Sequence, residues 1–315
     1  MRSYTLLACA KINLYLEIVG DRADGYHELA MIMQSVGLCD RLHIEPSGTD
    51  TIRITCNHPD VPSDSSNLAY RAAELMCSAF PEAFAQYGGV NISIDKHIPV
   101  AAGLAGGSSN AAAVLVGMDL LWNLGLTQGE CERLGEQLGS DVPFCVRGGT
   151  ALATGRGEKL SPLPDLDRLY VVLAKYESVK ISTAWAYKTY RNIYEESYIR
   201  DPEHIEAYGQ KVHSGPIVRA IASKNHAIIT EELRNDFEKI VLPEYPQLVA
   251  LKQRFIEARA LGTLMSGSGS TIFALTESQA EADRIKNDIE QQLNDPDLNL
   301  WVAQFSPTGI KVSDE

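Results

Sequence analysis

Apolar and polar positions alternate most clearly near the start of the chain, where Ile12, Leu14, Leu16 and Ile18 interleave with Asn13, Tyr15 and Glu17. A period of two marks a strand with one buried face. Leu42/Ile44, Ile52/Ile54 and Val90/Ile92/Ile94 repeat the pattern in shorter runs. Between the last two, Leu68, Ala72, Leu75, Met76 and Ala79 fall at helical spacing, with Asp64, Ser65 and Ser66 available as caps. A second helix is expected from about Ser108–Asn110 towards Gly125, burying Val114, Leu115, Met118, Leu121 and Trp122. A third opens on the capping box Thr127-x-x-Glu130, buries Cys131, Leu134 and Leu138, and stops at Gly139. Strands come first and helices follow, which suggests α+β rather than a regular βαβ winding.

Residues 161–168, SPLPDLDR, read as a linker or domain edge, with two prolines in a polar context. A strand at 170–174, a tyrosine-rich irregular region to about 216, and helices near 217–234 and 246–260 are expected next. A strand at 271–275, a helix capped by Ser278-x-x-Glu281, and a strand around 299–305 complete the pattern. The chain thus divides into residues 1–160 and 161–315, and a length of 315 residues suits two domains.

Composition narrows the partners. With 28 basic and 41 acidic side chains the net charge is −13, and 45% hydrophobic residues suffice for packed cores. So acidic a chain argues against nucleic acid or an anionic membrane as partner, since both need a basic face. The most apolar stretch, 111–126, carries Asp119 and Asn123 and is too short to span a bilayer. Met1-Arg2-Ser3-Tyr4 leads directly into a β-like segment without a signal-peptide core. The six cysteines show no CxxC spacing and read as small buried apolar residues in a reducing compartment. A cytoplasmic location is expected, or an organelle stroma if a transit peptide has been removed. An anionic ligand would need a locally positive site on this negative molecule.

One segment offers such a site. PVAAGLAGGSSNAAA, residues 99–113, places Gly103, Gly106 and Gly107 before two serines and an alanine-rich helix. Glycine permits positive φ and close backbone approach. The helix start presents unsatisfied N–H groups and the positive end of the dipole, which together favour a phosphate. The alternative is a plain tight turn packed on a helix. Neither a Walker A loop nor a GxGxxG fingerprint is present, and the protein-kinase HRD and DFG elements are missing.

Other segments are ambiguous alone. In Ala10-Lys11-Ile12-Asn13, pleat parity puts Lys11 and Asn13 on one face, where a lysine is ordinarily a solvated edge charge. Gly139-Ser140-Asp141-Val142-Pro143-Phe144 could set the Asp141 carboxylate beside a substrate hydroxyl, or merely cap a short turn. Met265-Ser266-Gly267-Ser268-Gly269-Ser270 is a second glycine-rich loop, or a simple turn into a strand. Asp24-Gly25-Tyr26-His27-Glu28 is a turn bearing an aromatic ring and an imidazole.

Taken together and in this order, AKINL, PVAAGLAGGSSNAA and LMSGSGSTIFAL resemble the three motifs of the GHMP kinase superfamily of small-molecule kinases. The likeness spans about residues 5–306. It implies a two-domain α+β fold, with a ribosomal-S5-domain-2-like N-terminal domain that binds ATP and a ferredoxin-like C-terminal domain. DGYHEL, GSDVPF and Asn235-Asp236-Phe237-Glu238 are similar to the branch that phosphorylates the 2-hydroxyl of a cytidine-diphosphate-linked methylerythritol, in the non-mevalonate isoprenoid route.

By that resemblance Lys11 and Asp141 are catalytic, Asp141 taking or orienting the hydroxyl proton and Lys11 stabilising developing charge. ATP would be held by Pro99, Val100, Ala101, Ala102, Gly103, Leu104, Ala105, Gly106, Gly107, Ser108, Ser109 and Asn110. Asn67 and Lys96 would lie near the nucleoside. Mg²⁺ would offset the phosphates, with Ser108 or Ser109 contributing. The acceptor, a small cytidine-diphosphate molecule, would meet Asn13, Thr183 and the rings of Tyr26, His27 and Tyr187, with Trp185 competing for the last place. A monomer or weak homodimer is expected. Two departures stand out: Ala101, Ala102 and Ala105 occupy places where the family loop is often glycine, and the stretch 188–216 is long, rich in tyrosine and charge, and reads by default as a solvated excursion.

Overall fold

The structure, a computed structural model, describes residues 3–166 and 168–313. Met1 and Arg2 of the leading segment, and Asp167 of the expected linker, lie outside the described residues. The chain begins with two long strands, β1 (Tyr4–Asp21) and β2 (His27–Pro46), followed by β3 (Arg53–Cys56). Helices α1 (Leu68–Ala79) and α2 (Pro81–Tyr87) precede β4 (Val90–Asp95). Next come α3 (Gly106–Trp122), α4 (Gln128–Glu136) and α5 (Val142–Arg147), then the hairpin β5 (Thr150–Gly155) and β6 (Lys159–Leu163). The second half runs β7 (Tyr170–Tyr176), α6 (Thr183–Tyr194), α7 (Pro202–His213), α8 (Pro216–Ala222), α9 (His226–Glu231) and β8 (Arg234–Asn235). It ends with α10 (Glu238–Glu244), α11 (Pro246–Glu257), β9 (Gly262–Met265), β10 (Ile272–Thr276), α12 (Gln279–Leu293), β11 (Leu298–Gln304) and β12 (Ile310–Val312).

Two sheets organise these elements. In the larger one the path is β12-β1-β2-β4-β3, with β5 and β6 continuing from the other end of β2 and β8 beside β1. β2 can serve two neighbours because it is long: residues 41–46 pair with β4 and residues 29–34 with β5. Register shifts between Cys9 and Ala10, Asn13 and Tyr15, and Ile18 and Gly20 bend β1. The smaller sheet is antiparallel, in the order β11-β7-β10-β9.

The period-two reading of Ile12–Ile18 is right in kind and short in extent. Ile12, Leu14 and Leu16 are buried, but so is Asn13, because helices and the second half of the chain cover both faces of β1. Small residues on α1 (Ala69, Ala72, Ala73) and α3 (Ala111, Ala112, Ala113) let these helices pack closely over the sheet. A β-carbon on Gly117 would stand 2.5 Å from Ile44 Cδ1 and 3.0 Å from Leu6 Cδ1, so glycine there lets α3 lie close on β1 and β2 without displacing those side chains. The capping box forms as expected: Thr127 accepts from Glu130 N–H while the Glu130 carboxylate accepts from Thr127 N–H.

Several expectations change. Asn67, not Asp64–Ser66, caps α1, its side-chain oxygen accepting from Ala69 N–H at 2.9 Å. α3 starts two residues before Ser108, at Gly106, after Ala105 in the left-handed region at φ 56°. The linker expected at 161–168 is partly strand, since Pro162 lies in β6 where its missing N–H is not needed. A boundary at 160/161 therefore falls inside β6. The helix expected at 217–234 is two helices and a short strand. The region to 216 holds α6 and α7, and it is docked: Tyr190 and Tyr198 are buried, Ile199 N–H donates to Val19 O at 2.9 Å, and Tyr208 O–H donates to Glu17. The solvated-excursion reading does not hold for it. All six thiols are free; Cys9, Cys131 and Cys145 are buried and the others half-buried.

Candidate active site

A cleft of about 890 Å³ opens where the two sheets meet. Its floor comes from β1, one wall from the loop before α3, another from the loop between β9 and β10, and its far end from the turn between β1 and β2.

The loop before α3 is anchored from beneath. Asp40, fully buried on β2, accepts from the backbone N–H of His97 and Ile98 at 2.8 Å each, from Asn110 Nδ2 at 2.7 Å, and from the Lys96 ammonium. One carboxylate thus fixes the strand exit and the first turn of α3 together. Lys11 N–H donates to Leu104 O at 3.1 Å, tying the loop to β1. Ala101 and Ala105 both adopt positive φ, 51° and 56°. Alanine at such positions costs roughly 1 kcal/mol each against glycine, so this loop holds its shape at some cost. Ala105 provides no side-chain cap, which leaves the first N–H groups of α3 facing the cleft.

Lys11 sits on the floor, 5% exposed, its ammonium donating to Asn13 Oδ1 at 2.7 Å and lying 3.7 Å from Asp141 Oδ2. Asn13 in turn reaches Met31 Sδ at 3.5 Å. Asp141 stands at the start of α5, its side chain 31% exposed, so the lysine is enclosed while the carboxylate opens to the cleft. Pleat parity had set Lys11 and Asn13 on one face, and their hydrogen bond bears that out.

The second glycine-rich loop touches the first. Ser266 Oγ donates to Gly103 O at 3.0 Å, and Thr271 N–H donates to Ala102 O at 3.3 Å. Asn235, 4% exposed, holds this loop from behind, donating to Met265 O and Gly267 O at 2.7 Å each. Glu238 accepts from Met265 N–H at 2.9 Å. Asp236, 1% exposed, accepts from Ile18 N–H at 3.0 Å. The Asn235–Glu238 stretch is therefore a brace between β1 and the loop.

At the far end, His27 is 9% exposed and stacks on Tyr187 with ring centroids 4.6 Å apart, while Tyr198 meets its edge at 5.8 Å. Its Nε2 is buried without a hydrogen-bond partner among the described residues and lies 3.6 Å from Asp21 Oδ1. Burial lowers the imidazole pKa below 6.5, Arg191 lowers it further, and Asp21 opposes the shift. Burial and Arg191 thus favour the neutral ring. Tyr26 is half-exposed at the rim. Thr183 Oγ1 is within 2.9 Å of Ser268 Oγ, linking the start of α6 to the second loop.

Of the residues expected to act in catalysis, ATP binding or acceptor binding, all border this cleft except Ser109 and the competing Trp185. Ser109 is fully buried and donates from Oγ to Cys9 O at 2.7 Å, which leaves Ser108 as the serine at the cleft. Trp185 does not border the cleft and meets Tyr245 edge-on at 6.4 Å. Tyr187 borders the cleft but lies directly on His27, without a ring-wide gap between them. Asp40 and Arg156 had no signal of their own in the sequence. Asp40 is one acidic residue within a strand pattern, and its partners lie 56 to 70 positions away.

Matches to known proteins agree with this geometry. The model for the GHMP kinases N terminal domain matches residues 67–149, and that for the GHMP kinases C terminal matches residues 217–295. A 4-diphosphocytidyl-2-C-methyl-D-erythritol kinase of Trichormus variabilis is 60% identical over 313 residues, 99% of each chain. The chain belongs to the GHMP kinase family. A relative of the same name from Nostoc punctiforme is 61% identical to this GHMP kinase over 314 residues, again 99% of each chain. Among solved structures, a 4-(cytidine 5'-diphospho)-2C-methyl-D-erythritol kinase matches with TM-score 0.73 and 31% identity, covering 96% of this chain and 99% of that one. A homoserine kinase from Cytophaga hutchinsonii has the same TM-score, 0.73, at 20% identity, covering 99% and 98%. That likeness shows the fold alone; the fold does not tell acceptors apart.

Proposed function

We propose that this GHMP kinase transfers the γ-phosphoryl group of ATP to the 2-hydroxyl of 4-diphosphocytidyl-2-C-methyl-D-erythritol. The observation that carries the reading is the Lys11–Asp141 pair, 3.7 Å apart, in a cleft with a glycine-rich helix start on one side and the Tyr26–His27 turn on the other. The names of the relatives with 60% and 61% identity support the choice of acceptor.

In this reading the ATP phosphates lie on the loop 99–108, where the N–H groups of α3 and its dipole favour negative charge. Asn67, Lys96 and Asn110 border the nucleoside side. The acceptor hydroxyl lies at Asp141, which takes or aligns its proton as the oxygen attacks the γ-phosphorus. The bond from the γ-phosphorus to the β–γ bridging oxygen breaks, and ADP leaves. Lys11, held by Asn13, offers its ammonium to the charge that builds on the transferring group. Positioning and charge stabilisation carry most of such a transfer, so two charged side chains suffice. Thr183 and Asn13 border the methylerythritol unit, and His27, backed by Tyr187, borders the cytosine while Tyr26 stacks on it.

Mg²⁺ requires oxygen ligands and takes few from protein when phosphates supply the rest. No cluster of three or more acidic, histidine or cysteine side chains exists among the described residues, whereas the Ser108 hydroxyl borders the phosphate loop. An oxygen donor beside phosphates fits the ion. Ser108 would contribute a ligand, and bound Mg²⁺ would offset the repulsion between the phosphates and the incoming oxygen.

The strand order β11-β7-β10-β9 is 4-1-3-2 in chain order, which supports a ferredoxin-like second domain; the larger sheet with α1 and α3 is then the ribosomal-S5-like, ATP-binding part. Turnover with ATP and the cytidine-diphosphate acceptor, competed by CDP, tests the function. Turnover of homoserine or mevalonate, with no inhibition by CDP, would replace it with another GHMP activity.

A further inference from the structure

The turn between β5 and β6 brings a guanidinium to the cleft. Arg156 lies between Gly155 and Gly157, both at positive φ, 71° and 111°. Gly157 packs so closely that a β-carbon there would stand 2.7 Å from Met31 Cε and 3.8 Å from Ser140 Cβ. The turn therefore packs beside Met31 and the residue preceding Asp141. From it the Arg156 side chain reaches over Tyr26, its guanidinium carbon 4.9 Å from the ring centroid. Arg156 thus lines the cleft with its guanidinium over Tyr26, on a turn that packs near Ser140.

Its donors are unspent. The side chain is only 23% exposed, yet its nearest carboxylates, Glu136 at 3.8 Å and Glu158 at 4.0 Å, lie beyond hydrogen-bond distance. Among the described residues no acceptor bonds its guanidinium; Glu158 instead accepts from Arg156 N–H at 2.6 Å. Elsewhere in this acidic protein arginines at carboxylates bond closely, as Arg147 does to Glu132 at 3.0 Å and Arg22 to Glu28 at 2.8 Å. A half-buried guanidinium with free donors, held in place by an aromatic face, is prepared for an anion.

We infer that Arg156, placed over the exposed Tyr26 ring, is a specificity residue that binds the diphosphate of the acceptor. The inference rests on the function proposed above. That acceptor carries a diphosphate between its cytidine and its reacting hydroxyl, and the ATP loop cannot serve both phosphate groups at once. Arginine provides paired N–H donors that match two phosphate oxygens; lysine offers charge without that geometry.

The test compares wild type, Arg156→Lys and Arg156→Gln by calorimetric titration with CDP, CMP and cytidine, and by steady-state kinetics. In Arg156→Gln, affinity for CDP is expected to fall about 10- to 100-fold, the range of a charge-assisted hydrogen bond. Cytidine affinity, which reports the base site, is expected to change less than about threefold, and Arg156→Lys to recover only part of the loss. KM for the acceptor rises accordingly, while kcat and KM for ATP stay near wild type. An equal loss for cytidine and CDP reduces Arg156 to a support for Tyr26 and overturns the inference. Unchanged CDP binding overturns it as well. If wild type binds no CDP at all, the proposed acceptor itself is wrong, an outcome visible before any variant is measured.

Discussion

Gly103 lies against the carbonyl of Ser266, so close that a β-carbon on the glycine would stand 2.1 Å from that oxygen. The two glycine-rich loops, more than 160 residues apart in sequence, meet here backbone to backbone. Gly103→Ala adds a methyl where none fits and places alanine at φ +73°. We expect it to cost about 2–4 kcal/mol of stability, from overpacking and left-handed strain together, and to raise KM for ATP as the loops part. Gly107→Ala is the contrast: its β-carbon would meet only Leu68 Cδ1, at 3.7 Å, within a helix. Thermal melting should show that variant unchanged or slightly stabilised.

Asp141 is the side chain whose loss should separate binding from chemistry. In Asp141→Asn the hydroxyl loses its proton acceptor while the loop 99–108 is untouched. Single-turnover phosphoryl transfer should slow by about 10²–10⁴-fold, the usual range for a positioned acid–base group. Titration with a non-hydrolysable ATP analogue should give wild-type affinity. Near-normal turnover would remove Asp141 from the mechanism.

Asp40 tests how the loop is held. Asp40→Asn leaves the buried Lys96 ammonium without its counter-charge, and breaking a buried pair from one side costs about 3–5 kcal/mol. Urea denaturation should register a loss of that size. The Lys180–Asp60 pair, 2.6 Å long but with side chains 53% and 47% exposed, is the control. Asp60→Asn should change stability by no more than about 1 kcal/mol.

How much of this was legible follows from particular residues. Thr127 and Glu130 declared a helix start because a capping box is local chemistry. Lys11, Asn13, Gly103 and Asp141 were legible as a set, because their motifs and order together match one family, though each alone had an ordinary structural reading. Asp40 and Arg156 were not legible: the work of each depends on partners brought near only by tertiary pairing of strands. The stretch 188–216 was misread for a similar reason. Its tyrosines look solvated in sequence, but Tyr190 and Tyr198 are buried under the end of β1. Pro162 misled in the opposite way, since a proline on an edge strand needs no ladder partner for its nitrogen.

His27 sets a pH dependence. Burial, with Arg191, lowers its pKa below 6.5, so the unfolded chain takes up this proton at a higher pH than the folded one. Stability from the neutral ring is therefore complete above the unfolded value and is lost as pH falls from there through the folded value. KM for the acceptor should rise over the same interval, with KM for ATP unaffected. The difference in melting temperature between wild type and His27→Gln should shrink as pH falls below 6.5. A difference constant across that range would show that the imidazole is not buried neutral.

The short strand β8 lies parallel to β1, with Arg234 beside Tyr15 and Asn235 beside Leu16, and β12 returns from the far terminus to pair with Leu6, Leu7 and Ala8. The halves of the chain are sewn together along one edge of the strand that carries Lys11, at positions before and after that lysine. Fragments made by cleaving the chain at 160/161 should therefore fail to fold when expressed separately and regain structure only when combined, since the amino-terminal piece would lack the edges that complete its sheet.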